Sequence, residues 1–328
     1  MNVTLAAGAS GSQVGTSMSQ AAAATVVLRP IGKSALRVGF GTGGLMRITS
    51  ARRRQDALAA ALASGITHFD TAPLYGFGES ERALGRFLRS RRGQVTLTTK
   101  FGLEPSALAA RLVVLQSLAR RAIELFPALR RAAVRNSGAL SSQPSFSRSA
   151  ATSSLERSLR ALRTDHVDFF LAHQASAAAL PDDELIGWLE DVRRAGKILS
   201  FGVATDFQWL LPVLQQRPQL ARVIQFDSDP TRRHDGLLAR ETDTLLITYG
   251  FLGRAVAACR ERLRGLDRMT DDELGGLLLR AAVLSNPDGI VLMQSRSIPR
   301  IESNVRAATS NRDDGRVLDL VKQLGSQP

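Results

Sequence analysis

Eight short apolar runs recur between residues 36 and 293, and their alternation with helix-patterned segments restricts the fold more than any other feature of the chain. The runs are LRVGF (36–40), ITHFD (66–70), VTLTT (95–99), VDFFL (167–171), LSFGV (199–203), RVIQF (222–226), TLLIT (244–248) and GIVLM (289–293). Each is apolar or nearly so along its whole length, as in parallel strands covered on both faces. Between them apolar residues recur at helical spacing: Ala57, Leu58, Ala61 and Leu62 form one stripe behind the charged stretch 52–56. Eight strand-helix units predict an α/β fold, a (β/α)8 TIM barrel occupying 28–328 as a single domain. The 328 residues are 44% hydrophobic and 22% charged, which excludes a wholly disordered chain.

Two stretches fall outside the pattern. Residues 1–27 carry no charge and consist largely of Ala, Gly, Ser, Thr and Gln. So little large apolar surface does not offset ordering entropy, and a disordered tail is expected. The segment lacks the basic start and apolar core of a secretory signal, and Met18 is a second candidate start. The connection 102–163 is far longer than usual, and its Ser-, Ala- and Arg-rich part, 135–154, is expected to be a mobile surface excursion. No apolar run exceeds about eight residues, against roughly 20 for a membrane-spanning helix.

The formal net charge is +13, a balance that can mark a nucleic-acid or anionic-membrane partner. Here 39 Arg stand against 4 Lys, a skew that points to codon usage in a GC-rich genome. Their densest cluster, 111–135, has no interleaved Tyr or Trp to stack on bases. Neither nucleic acid nor membrane is therefore expected as a partner. One cysteine, Cys259, excludes an internal disulfide and a Cys-based zinc site, and with four histidines the other ligand types are sparse. No metal, and a reducing, cytoplasmic setting, are expected.

The segment THFDTAPLYGFGESERALGRFL (67–88) is the most informative. Asp70 ends a predicted strand, Tyr75 lies five residues on in a loop containing Pro and Gly, and 80–88 reads as the following helix. Lys100 follows VTLTT and His173 follows VDFFLA, so all four residues fall at the C-terminal mouths of strands or in the loop beyond, where barrels of this class carry their chemistry. Taken singly, each has a plainer reading: a helix cap for Asp70, rim packing for Tyr75, a snorkelling lysine for Lys100, a core imidazole for His173. The run GFGTGG (39–44) also matches G-x-G-x-x-G through Gly39, Gly41 and Gly44. A dinucleotide-binding Rossmann unit asks for an acidic residue about 20 positions on. The candidates are Asp56, inside a helix, and Asp70, too distant.

With GFGTGG, SLRALRTDHVDFFLAH (158–173), GKILSFGV (196–203) and QSRSIPRIESN (294–304), these residues make the sequence resemble the aldo-keto reductase family from about 36 to 304. The resemblance implies an oxidoreductase that moves hydride between NADP, or alternatively NAD, and an aldehyde, ketone or sugar carbonyl. A nicotinamide-binding regulatory protein on the same barrel is the alternative. The family's catalytic tetrad falls on Asp70, Tyr75, Lys100 and His173. Carbonyl reduction builds negative charge on oxygen, and Tyr75 is the implied acid. With a reference pKa of about 10 it needs its phenolate stabilised, which Lys100 does by direct attraction while Asp70 holds the lysine. His173 then orients the carbonyl. Cofactor contacts are implied for Gly41, Thr42, Thr205, Gln225 and Tyr249, and for Ser295, Arg296, Arg300 and Asn304 on the adenosine side. There two guanidiniums and a helix starting near Pro299 suit a phosphate. Three positions depart from the family pattern. Gln294 replaces a common lysine, Ala204-Thr205 replaces Ser-Asn, and Gln174 replaces an aromatic, which implies a more polar pocket.

Overall fold

The computed structural model describes residues 24–105, 144–176, 178–228, 243–250, 256, 269–310, 314–317 and 319. An antiparallel hairpin of β1 (Thr25–Leu28) and β2 (Lys33–Leu36) precedes the barrel. The barrel strands are β3 (Val38–Gly41), β4 (His68–Asp70), β5 (Thr96–Phe101), β6 (Val167–His173), β7 (Ile198–Ala204), β8 (Val223–Asp227), β9 (Leu245–Tyr249) and β10 (Ile290–Met293). They lie parallel and close in the order β10-β3-β4-β5-β6-β7-β8-β9. All eight expected strands form, each within two residues of its expected bounds.

Seven α-helices surround the barrel among the described residues: α1 (Ala51–Ala63), α2 (Glu79–Leu88), α3 (Arg148–Leu162), α4 (Asp183–Arg194), α5 (Phe207–Gln216), α6 (Asp271–Ser285) and α7 (Ile298–Thr309). None is long and apolar enough to cross a membrane. Because successive strand residues face opposite ways, the core divides into two layers. Phe69, Leu97, Phe170 and Phe201 point outward and pack with helix residues such as Leu58, Leu84, Phe87 and Leu155. Phe169, Leu171, Val223, Ile247, Ile290 and Leu292 point inward and fill the barrel.

Two sequence expectations need correction. Of the proposed tail 1–27, residues 1–23 lie outside the described residues, but Thr25–Leu28 is a strand, and its Leu28, with Ala35 of β2, is buried against the inward-facing barrel residues. A four-residue strand beside an Ala-rich run carries no period of its own; its partner strand and the barrel floor order it. The proposed excursion 135–154 is not wholly a surface segment: Phe146 is buried in the core and α3 begins at Arg148, while 135–143 lies outside the described residues. Ser147 caps that helix by accepting from Ala150 N. Its buried stripe, Ala151, Ser154, Leu155, Ser158 and Leu162, has helical spacing but uses small polar residues where a pattern reader looks for large apolar ones.

The hairpin is latched by charge. Asp168, fully buried on β6, accepts from Lys33 Nζ of β2 at 2.6 Å, Arg92 Nη2 at 2.8 Å and the Leu97 amide at 2.9 Å. Burial opposes its ionisation, but Arg92, Lys33 and the Leu97 amide outweigh that and hold the carboxyl below its ordinary range.

Candidate active site

Strand register places the central cluster. Asp70 of β4 pairs with Thr98 of β5, and His68 with Thr96. Alternation then puts His68 and Asp70 on the same face as Thr96, Thr98 and Lys100. The contacts agree: His68 Nδ1 lies 2.9 Å from Thr96 Oγ1 and its Nε2 3.3 Å from Thr98 Oγ1. One step nearer the rim, Lys100 Nζ donates to both Asp70 oxygens at 2.8 Å and to Thr71 O at 2.9 Å. Gln225 Nε2, from β8, donates to Asp70 Oδ2 at 2.9 Å. The Asp70 carboxylate thus accepts from donors on two strands, β5 and β8.

Tyr75 reaches the cluster from the loop beyond β4. Gly76, Phe77 and Gly78 all adopt positive φ (58°, 57° and 87°), which turns the chain sharply and sends the phenol back over the barrel mouth. At Gly76 any side chain would collide with Met46, so the turn requires glycine. Tyr75 Oη lies 3.5 Å from Lys100 Nζ, and its ring meets His173 edge-on at a centroid separation of 6.1 Å. The four predicted residues therefore converge.

Burial sets the charge states. Desolvation works against the Lys100 ammonium, but Asp70 and Tyr75 outweigh it and hold its pKa above that of an ordinary lysine. Burial also raises the Tyr75 phenol, partly offset by Lys100. His173 is pushed down to about 3 by burial and by the Lys100 charge, so its imidazole is neutral, and its buried Nδ1 has no partner. A neutral phenol, a charged lysine and a neutral imidazole thus meet at one point.

They face a cleft of about 410 Å³ that also takes in Gly41, Gln174, Gln225 and Tyr249. Gln225 Oε1 is buried without a partner: with Nε2 committed to Asp70, the oxygen is left to accept from an amide donor. A second cleft of similar size shares Gly41 and Gln294 with the first and is lined by Ser295, Arg296, Arg300 and Asn304. The two form one trough across the ends of β3 and β10. Helix α7 starts there with Pro299 in its first turn and no side-chain cap, leaving its first amides open toward an anion.

Two predicted cofactor residues do not line the trough. Thr42 is buried with its hydroxyl on Asp70 O at 3.0 Å, tying the ends of β3 and β4 together. Thr205 donates its hydroxyl to Ala175 O at 2.6 Å. Both side chains satisfy backbone carbonyls. Sequence reasoning missed Arg47, a third guanidinium in the second cleft, and the ion pair of Arg300 with Asp272 of α6 at 2.6 Å. Arg47 lies six residues after Gly41, the end of β3, a local signal; the Arg300–Asp272 pair joins two helices and leaves none. Among the described residues no His, Cys, Asp or Glu cluster could hold a metal.

Comparison with known proteins gives the chain's family and fold. The model of the aldo/keto reductase family matches residues 37–216. The chain is 30% identical over 179 residues to the aldo-keto reductase YhdN of Bacillus subtilis, covering 53% of this chain and 44% of that one. Among solved structures it resembles an aldo-keto reductase from Bacillus halodurans in its holo form (TM-score 0.69, 19% identity, 92% and 95% coverage). It also resembles one from Klebsiella pneumoniae in complex with NADPH (TM-score 0.62, 20% identity, 92% and 95% coverage). The matched stretches span only 44 to 62% of the first curated relatives. With a family model matched over more than half its length and the barrel closed as described, the chain belongs to the aldo/keto reductase family.

Proposed function

We propose that the protein is an NADP-dependent oxidoreductase that reduces an aldehyde, ketone or sugar-like carbonyl, with Asp70, Tyr75, Lys100 and His173 as its catalytic residues. The observation that carries this reading is the buried Lys100 ammonium, held by Asp70 and placed 3.5 Å from the Tyr75 hydroxyl at the floor of an open cleft. A buried cation beside a phenol favours phenolate, the state left when Tyr75 gives up its proton.

The trough suits a nicotinamide dinucleotide. The unpartnered Gln225 Oε1 matches a carboxamide donor, and the second cleft, with Arg47, Arg296, Arg300 and the open start of α7, matches a phosphate. Similarity to an NADPH-bound relative supports NADP. The bound nicotinamide would supply the hydride to the carbonyl carbon. Tyr75 delivers its proton to the carbonyl oxygen as charge builds there, and Lys100 stabilises the resulting phenolate. Asp70 keeps Lys100 charged and fixed, and the neutral His173 offers a hydrogen bond that aligns the carbonyl. Gln174, beside it in left-handed backbone (φ 55°), brings a polar side chain to the cleft and favours hydroxylated substrates.

The test is NADPH oxidation across a panel of small aldehydes, ketones and sugars. Tyr75→Phe is expected to lower kcat by about 10²- to 10⁴-fold while cofactor affinity stays within a few-fold. NADPH binding without turnover of any panel member, in wild type, would instead support a regulatory nicotinamide-binding protein.

A further inference from the structure

A third concavity, of about 600 Å³, lies outside the trough, between α2 and α3 and under the loop that follows Tyr75. Five guanidiniums line it: Arg82 and Arg86 from α2, Arg157, Arg160 and Arg163 from α3 and its end. Among the described lining residues Glu81 and Glu104 are the only acidic ones, so the formal charge of that part of the wall is net positive. The two helices are in tight contact here, because a side chain at Gly85 would collide with Ala161 O. The two basic rows are therefore held side by side by the fold.

That arrangement opposes stability in three ways. Arg82 and Arg86 are like charges at i, i+4, and Arg157, Arg160 and Arg163 repeat at i, i+3, spacings at which repulsion is felt. Glu79, Glu104 and Glu156 answer Arg82, Arg157 and Arg160 (2.5, 3.1 and 3.8 Å), but Arg86 and Arg163 have no carboxylate partner among the described residues. Arg163 also sits in left-handed backbone (φ 57°) at the end of α3, a position that favours glycine. A single basic residue in a last turn complements the helix dipole. That does not account for five around one hollow, one of them on strained backbone.

We infer that this cleft is an anion-binding site, separate from the dinucleotide trough, for a small molecule bearing a diphosphate or two phosphate groups. Guanidinium forks match phosphate oxygens in pairs, and rows on two facing helices suit two phosphates better than one. The hollow exceeds a single phosphate in size, consistent with an organic portion attached.

Isothermal titration of the full chain with inorganic pyrophosphate tests this. Three proteins are compared: wild type, Arg86→Ala/Arg163→Ala, and Arg296→Ala/Arg300→Ala, the last removing the anion-binding part of the trough. Saturable binding is expected in wild type and in the trough variant, with at least a fivefold loss in Arg86→Ala/Arg163→Ala. Arg163→Gly provides a second readout. It relieves the backbone, so Tm should rise, yet pyrophosphate affinity should fall, a combination that a purely structural arginine does not produce. Equal affinity in wild type and Arg86→Ala/Arg163→Ala, or loss only in the trough variant, would overturn the assignment.

Discussion

Replacing Lys100 by Met, which is close in volume, removes the one cation that, among the described residues, the buried Asp70 carboxylate touches. Both side chains are about 2–3% exposed and the contact is 2.8 Å to each oxygen. At an effective dielectric of about 20 the gross attraction is about 6 kcal/mol, most of it offset by the cost of bringing both charges out of water. The intact pair is therefore worth little against an apolar pair, whereas a broken pair leaves a buried charge behind and costs about 3–5 kcal/mol. Gln225 Nε2 continues to donate to Asp70, which places the loss at the lower end of that range. The double variant Asp70→Asn/Lys100→Met has no orphaned charge and should recover at least half of the lost stability. It should not recover turnover, because the cation that stabilises the Tyr75 phenolate is still missing. Urea unfolding followed by circular dichroism gives the two stabilities, and NADPH oxidation gives the turnover. A Lys100→Met protein within about 1 kcal/mol of wild type, or a double variant no more stable than the single, would refute the buried-charge argument. Recovery of turnover in the double variant would refute the role given to Lys100.

Asp168→Ala leaves the Leu97 amide without its acceptor and the largely buried Arg92 without its carboxylate, though Arg92 keeps Thr164, Val95 and His166 as acceptors, and should cost about 3 kcal/mol in urea unfolding, with Lys33→Ala, whose side chain is 41% exposed, costing under about 1 kcal/mol. Because folding depresses the Asp168 pKa, its contribution is complete at neutral pH and is lost as pH falls below about 4, so wild type and Asp168→Ala should converge in stability under acid. Leu28→Ala should cost about 2–5 kcal/mol, as a barrel-plug residue does; no measurable change would restore the tail reading for this segment. Arg300→Ala should weaken NADP about tenfold and leave NAD nearly unchanged, whereas Asp272→Asn, by freeing Arg300, should tighten NADP by a few-fold; cofactor titrations by fluorescence decide both.

How much of this molecule could be read from its residues follows from the range of the interactions involved. The eight barrel strands were legible because burial on both faces writes a continuous apolar run into each, a signal contained within five residues. The positions of Asp70, Lys100 and His173 were legible for the same reason, since each ends or directly follows such a run. Tyr75 needed the family text beside it, because a loop of three consecutive positive-φ residues has no period to read. The tertiary structure decided everything that depends on partners far apart in the chain. Lys33, Arg92 and Asp168 meet across separations of 135 and 76 residues, and no local pattern marks them as one latch. Thr25–Leu28 is a strand only because Lys33–Leu36 pairs with it and the barrel floor buries its Leu28. The hydroxyls of Thr42 and Thr205 turn to backbone carbonyls and away from the trough, a choice made by which carbonyl lies nearest once the strands are closed. Residue type and period act over a turn or a strand, and therefore specify elements and the ends on which chemistry sits. Pairing of β4 with β5 sets Lys100 against Asp70 and beneath Tyr75, and closure of the barrel brings Gln225 of β8 to the same carboxylate.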